Sequence, residues 1–223
     1  MGKIIIAIDG FAATGKSSQA KRLAAALGYT YIDTGAMYRA ITLFALRQQP
    51  EGSIDPVVLT KSLKNITITF QSKGSEQYTF LNDENVTEAI RSTQVTDRVS
   101  NIAKIPEVRS FLVAQQKALG VKKGIVMDGR DIGTVVFPEA ECKFFMTATP
   151  EVRAQRRYLE QLEKGIKEDF GEVLESIKLR DHLDSTRTVS PLTKADDAIE
   201  IDVSSLSIDE VYKKMWSQIQ TKT

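Results

Sequence analysis

Eight consecutive residues constrain this chain more than any other stretch: Gly10-Phe11-Ala12-Ala13-Thr14-Gly15-Lys16-Ser17. They fit the pattern G-x-x-x-x-G-K-[ST], and they sit where that pattern has physical meaning. Before them, Lys3 to Ile8 is a continuous β-branched run that reads as a buried strand. After them, Lys16 to Leu27 reads as a helix with Ala20, Leu23, Ala24 and Leu27 on one face and Gly28 as its stop. Such a loop wraps phosphate oxygens with backbone N–H groups, so glycines and small side chains are needed beside the ligand. Lys16 is placed to reach β- and γ-phosphates, the Ser17 hydroxyl is suited to Mg²⁺, and the helix N-terminus adds its positive dipole end. The expectation is a nucleotide site formed by Gly10, Phe11, Ala12, Ala13, Thr14, Gly15, Lys16, Ser17 and Ser18.

The rest of the chain alternates strand and helix at both ends and changes character in the middle. Tyr29 to Ile32 reads as a strand, and Ala36 to Gln48 as a helix with Met37, Ala40, Ile41, Phe44 and Ala45 in a stripe. Residues 50–90 read as a short helix over Pro56 to Leu63 and three β-type runs, Asn65 to Phe70, Gln77 to Leu81 and Asn85 to Thr87. Ser72-Lys73-Gly74-Ser75 is a hairpin signal between the first two. Helices follow over Ser92 to Lys104 and from Pro106, then a strand Ile125 to Met127 ending at Asp128, a strand Lys143 to Thr147, and a helix after Thr149-Pro150 that Gly165 breaks. Another helix carries Phe170, Val173, Leu174 and Ile177. Ala198 to Ile201 is the last strand, and Ser207-Ile208-Asp209-Glu210 is a capping box opening the last helix. The expected fold is α/β: a parallel sheet flanked by helices, with residues 1–49 and 91–223 as the phosphate-loop core and 50–90 as a small antiparallel insert.

Composition narrows the function. The 223 residues hold 30 Lys and Arg against 29 Asp and Glu, a balance that argues against a bulk nucleic-acid or membrane-surface binder. No apolar run approaches the roughly 18 residues of a membrane span. One cysteine, Cys142, excludes an intramolecular disulfide and fits a reducing, cytoplasmic setting. One histidine, His182, argues against a His-ligated metal or a Ser-His-Asp triad.

Two further segments, Asp33-Thr34-Gly35-Ala36-Met37-Tyr38-Arg39 and Asp128-Gly129-Arg130-Asp131-Ile132-Gly133-Thr134, each follow a strand. Strand carboxyl ends of an open α/β sheet share the ligand edge, so both converge on the phosphate loop's side. Arg153, Arg156 and Arg157 fall at i, i+3 and i+4 on one helix face, and Arg180, Asp184 and Arg187 at i, i+4 and i+7 on the next. Arginine forks suit bidentate phosphate contact, although a solvated face is the plainer alternative for either helix. The stretch around 153–170 reads as a lid. A kinase acting on a hydroxyl needs a base to take its proton, whereas a phosphate acceptor is already ionised. Many arginines and no plausible histidine base point to a nucleoside monophosphate kinase. Thr193-Lys194-Ala195-Asp196 has the look of a guanine-specificity motif, but it follows Pro191-Leu192 rather than a strand.

Together with the phosphate loop, the runs Asp33 to Arg39, Asp128 to Pro138 and Arg180 to Arg187 resemble the bacterial cytidylate kinases over essentially the whole chain. The resemblance implies transfer of the ATP γ-phosphoryl to CMP or dCMP, with Mg²⁺, by a cytoplasmic monomer without nucleic-acid or membrane partners. It implies that Ser100, Arg109 and Asp131 contact the base, that Arg180 and Asp184 hold the sugar, and that Thr34, Tyr38, Arg39, Arg130 and Arg187 belong to the monophosphate side. Arg153 and Arg157, with Lys16 and Arg130, are the expected catalytic charges, the first two in a lid over ATP. Phe11-Ala12-Ala13-Thr14 replaces the family's usual Pro-Ser-Gly-(Ala or Ser), so loop geometry and affinity are expected to differ. The alternatives are a kinase of another monophosphate, a shikimate-type kinase of a hydroxyl-bearing metabolite, and a nucleotide-dependent switch.

Overall fold

The computed structural model describes residues 2–49, 54–73, 76–163 and 165–222. In chain order its elements are β1 (Ile5–Gly10), α1 (Lys16–Leu27), β2 (Thr30–Asp33), α2 (Thr34–Gln48), α3 (Pro56–Ser62), β3 (Ile68–Lys73), β4 (Glu76–Leu81), β5 (Glu84–Asn85), α4 (Thr93–Ile102), α5 (Pro106–Leu119), β6 (Ile125–Asp128), β7 (Cys142–Thr147), α6 (Pro150–Glu163), α7 (Phe170–Thr186), β8 (Ile199–Asp202) and α8 (Ile208–Gln220). They form two compact units, Met1–Tyr31 with Lys122–Thr223, and Ile32–Val121.

The first unit is built on a five-stranded sheet in the order β2-β6-β1-β7-β8. β1 pairs in parallel with β6 and β7, and β7 with β8. All six residues of β1 are buried, as a strand covered on both faces requires. It starts and ends two residues later than its β-branched run suggests, because its ladder with β7 continues to Gly10 opposite Met146. Gly10 is obligatory there: it holds φ +139°, and a Cβ would sit 2.1 Å from the Met146 carbonyl oxygen. Under α1 and α8, one face of this sheet buries Ile6, Ile8, Phe144 and Met146 against Leu23, Val211, Met215 and Ile219. Each such side chain is worth roughly 1.5–3 kcal/mol of transfer free energy. Helix α1 ends at Gly28 in the left-handed region (φ 65°), and α8 opens with the full Ser207–Glu210 capping box, both as the sequence predicts.

The second unit packs around α2, whose Ala36, Met37, Ala40, Ile41 and Ala45 meet Leu59, Leu81, Val86, Ile90, Val99 and Leu112. Its sheet is antiparallel, β3-β4-β5, with Ile68 opposite Leu81 and Phe70 opposite Thr79. The first run is displaced three residues toward the C-terminus, because Leu63–Asn65 form a 3₁₀ turn and the strand spans Ile68–Lys73. Ser72 and Lys73 end β3, while the Gly74-Ser75 half of the hairpin signal lies outside the described residues.

Two local features depart from the sequence reading. After β6 the chain makes one π-helical turn, Ile132–Val136, which no periodicity announces. Arg187 does not continue the helical face of Arg180 and Asp184: α7 ends at Thr186, and Arg187 is extended (ψ 141°).

Candidate active site

Within the first unit the phosphate loop leaves β1 at Gly10 and enters α1 through Gly15 at φ 85°. Ala13 also lies in the left-handed region at φ 58°, a conformation costing a non-glycine residue about 1 kcal/mol. The buried Thr14 donates its hydroxyl to the Phe11 carbonyl at 3.0 Å. Lys16 Nζ donates to that same carbonyl and to Thr14 Oγ1 at 3.3 Å. Burial holds the Lys16 ammonium well below the ordinary lysine range, and repulsion from Arg130 and Arg180 adds to this against the pull of Asp128 and Asp9. An ammonium so destabilised gains most when phosphate oxygens arrive. Ser17 follows at the start of α1, its hydroxyl donating to Asp128 Oδ2 at 2.9 Å, and Ser18 is exposed beside it. Asp128 Oδ1 accepts from the Tyr31 hydroxyl at 2.9 Å. Two hard oxygens, from Ser17 and Asp128, thus meet at the phosphate end of the loop, a donor chemistry that fits a hard cation such as Mg²⁺.

The loop after β6 is pinned to the same edge. Gly129 N–H donates to the Ile8 carbonyl at 3.0 Å. Asp9 receives the Ile132 and Gly133 N–H groups on its two oxygens at 2.8 and 2.7 Å, capping the π-helical turn from across the sheet. Burial raises the Asp9 carboxyl to about 7, and the nearby Asp131 adds to this, against the two N–H groups and Lys16. The pinned loop presents Arg130 and Asp131. Arg130 Nε donates to Asp184 Oδ2 at 2.9 Å, with Arg180 Nε 4.0 Å from the same oxygen. Arg187 Nη2 lies 4.0 Å from Asp131 Oδ1, and its Nε donates to the Ser190 carbonyl at 2.5 Å. Burial alone would raise the Asp184 carboxyl, but Arg130, Arg180 and Arg187 outweigh it and hold it below the usual range. Five of the expected residues, Arg130, Asp131, Arg180, Asp184 and Arg187, are therefore one charge cluster in this unit.

Arg153, expected in a lid over ATP, is turned inward in this structure. It is 2% exposed, gives both terminal nitrogens to the Asp181 carboxylate at 2.9 and 2.6 Å, and gives Nε to the Ala148 carbonyl at 2.9 Å. Its guanidinium binds α6 to α7, because Asp181 on α7 supplies the planar partner that a buried fork demands. Arg156 donates to the Val203 carbonyl at 2.7 Å. Arg157 is half-buried with no ion pair to a described residue, which leaves it as the arginine of the three suited to a mobile ligand.

In the second unit, Asp33 caps α2 by accepting from Ala36 N–H at 2.8 Å and pairs with Arg39 at 3.0 Å. Burial would raise this carboxyl, but Arg39, the Ala36 N–H and Arg91 prevail and lower it. Thr34 is buried at the first turn of α2, and Tyr38 one turn on. The Arg109 guanidinium carbon lies 5.4 Å from the Tyr38 ring centre, and Nη1 donates to the Ala103 carbonyl at 3.1 Å. Ser100, on α4, is buried as well. Sequence reasoning left Asp9, Tyr31 and Asp128 without roles. The signal for two of them was available: each aspartate ends a buried apolar strand, where a charge needs a reason.

A loop, a strand-end aspartate and an arginine cluster of this kind leave several kinases open, and similarity to known proteins separates them. The cytidylate kinase family model matches residues 6–221. A cytidylate kinase of Phocaeicola vulgatus is 51% identical over 99% of this chain and 98% of its own, and one of Anoxybacillus flavithermus is 52% identical over 99% and 97%. A solved structure of an uncharacterized protein from Eubacterium ventriosum shares the fold, with TM-score 0.52 and 13% identity over 98% of this chain and 99% of that one. With half its residues shared along nearly its whole length, the chain belongs to the cytidylate kinase family.

Proposed function

We propose that this enzyme transfers the γ-phosphoryl group of ATP to the phosphate of CMP or dCMP, forming ADP and CDP or dCDP. The observation that carries the reading is the joint presence, in one unit, of the Lys16 phosphate loop and the Arg130, Arg180, Arg187 cluster on Asp184 and Asp131. Such a cluster suits an acceptor that already bears negative charge. His182 lies exposed on α7, so no imidazole base is set against an acceptor hydroxyl. Among the described residues no helix is long and apolar enough to cross a membrane. The setting that fits this chemistry is pyrimidine nucleotide metabolism in the cytoplasm, with a monomer as the working unit.

On this reading Lys16 neutralises the transferring group while backbone N–H groups of residues 10–18 hold the ground-state phosphates. Ser17 and Asp128 would hold Mg²⁺, which would supply neutralisation of phosphate charge during transfer. Arg130 and Arg187 orient the acceptor phosphate, Arg180 and Asp184 the sugar, and Arg157 the donor side. Asp131 is the base reader: a carboxylate accepts from the cytosine N4 amino group and repels the uracil O4. Roles for Thr34, Tyr38, Arg39, Ser100 and Arg109 toward CMP rest on the family resemblance alone.

The test is a coupled assay for ADP with CMP, dCMP, UMP, a hydroxyl acceptor and no acceptor. Release of ADP that depends on CMP or dCMP is expected. Equal release without acceptor would favour a nucleotide switch, and release with the hydroxyl compound would favour the metabolite kinase. In the same assay Asp131→Ala should shrink the CMP-to-UMP ratio of kcat/KM at least about tenfold. An equal loss on both substrates would move base selection elsewhere.

A further inference from the structure

Three of the residues by which this phosphate loop departs from its family's pattern, Phe11, Ala12 and Ala13, pack against side chains of the α6–α7 pair. The Phe11 ring stands edge-on to Phe145, with centroids 6.2 Å apart and planes at 76°. On the ring lies the Arg153 guanidinium, its carbon 5.0 Å from the centroid. Next in the chain, Ala12 is buried among Ala154 of α6 and Val173 and Ile177 of α7, with Ala13 at the edge of the same cluster. The backbone carbonyl of Phe11 is the atom that receives both Thr14 Oγ1 and Lys16 Nζ. A single residue therefore links two things. Its ring is gripped by the arginine that clasps α6 to α7 through Asp181, and its carbonyl orients the lysine of the phosphate loop.

We infer that Phe11 is a positioning residue for ATP, and that Arg153 acts on the nucleotide through Phe11 rather than by touching it. A proline in place of Phe11 would fix the loop's φ by its own ring. Phenylalanine has no such constraint, and here the aromatic–guanidinium contact, desolvated and worth more than at a surface, supplies the rigidity instead. Because three of the five Arg153 N–H donors are held by Asp181 and Ala148 and the side chain is only 2% exposed, its fork is committed to protein partners in this arrangement. The inference rests on the proposed function only for the identity of ATP as ligand.

The experiment is a double-mutant cycle read by calorimetric binding of ATP in the absence of CMP. This separates it from the phosphoryl-transfer reading, which would fail in the coupled assay with ATP binding intact. Phe11→Leu and Arg153→Met are each expected to weaken ATP binding about tenfold, and the double variant to be no weaker than either single one within about twofold. Phe11→Tyr, which keeps the ring, should bind as the wild type does, and CMP binding should not move in any of the four. Should Phe11→Leu fail to fold, Phe11→Met fills the same space without a ring and serves in its place. Losses that multiply to about a hundredfold would show Arg153 contacting nucleotide by itself and overturn the inference. Wild-type affinity in Phe11→Leu or Phe11→Met would overturn it too.

Discussion

The two sheets of this enzyme treat burial differently, and the difference says where its chemistry can be. The first unit's sheet is covered on both faces, so that every residue of β1 is buried. In the second unit β3 alternates, with Ile68 buried, Thr69 exposed, Phe70 half-buried and Gln71 exposed, as a sheet with one wet face does. Charge placed at the end of a doubly covered strand cannot be solvated cheaply. Asp9 and Asp128 are there, Lys16 is buried at the start of α1 just beyond β1, and burial is the first cause of the shifts at Asp9 and Lys16. None of the expected site residues lies on β3, β4 or β5. Reactive groups thus collect where desolvation makes each charge sensitive to an arriving phosphate, and the wet sheet serves its own unit's core.

The contrast is broken most severely by substitution where the buried sheet meets the loop. Gly10→Ala would drive a methyl to 2.1 Å from the Met146 carbonyl, and no flexible side chain is there to yield. Loss of soluble folded protein is expected, read by circular dichroism and gel filtration. A folded, active Gly10→Ala protein would mean that β1 and β7 can separate.

Lys16→Ala tests the chemistry without the backbone. With backbone N–H groups still holding ground-state phosphates, kcat should fall by about two orders of magnitude or more. The measurement is steady-state turnover at saturating ATP and CMP, and a kcat near wild type would remove Lys16 from its role.

Asp9 tests the electrostatic half of the comparison. Its folded value of about 7 lies above the ordinary 3.8, so the folded state binds the extra proton and its contribution to stability is complete below about pH 4. That contribution is lost as pH rises through 7, amounting to about 2–3 kcal/mol between pH 5 and 8. Urea midpoints of the wild type should fall over that range relative to Asp9→Asn, whose profile should be flatter. Parallel profiles would show that Asp9 does not titrate there. The depressed Asp33 and Asp184 act in the opposite sense, losing their contribution as pH falls through their lowered values.

At the small end, Thr69→Ala and Gln71→Ala on the wet face of β3 should each change stability by no more than about 0.5 kcal/mol and leave kcat unaltered. A large effect from either would mean that this face is not idle.

What could be read in advance follows the same physical line. Helix α1 with its Gly28 stop and the Ser207–Glu210 box are decided by neighbours within a few residues, and they stand as the sequence suggests. The Asp9 clamp on Ile132 and Gly133 spans more than a hundred residues, as does the Ser17–Asp128 pair. Such partners are set by strand order, which no local spacing encodes. Arg153 is the instructive case. Its i, i+3, i+4 spacing with Arg156 and Arg157 is real, yet the spacing says nothing of which member turns inward, and Asp181 on α7 decided that. Arg187 shows the converse, since a helical count carried past Thr186 assigned it a face it does not share.

The central claim is that the phosphate loop delivers a phosphoryl group to a cytidine monophosphate. ATP labelled at the γ-phosphate, incubated with the enzyme, Mg²⁺ and CMP, tests it most directly when the products are separated and the label is located by ³¹P NMR. Label is predicted at the β-phosphate of CDP in amount equal to the ADP formed. Label found only in inorganic phosphate, with CMP unchanged, would contradict it.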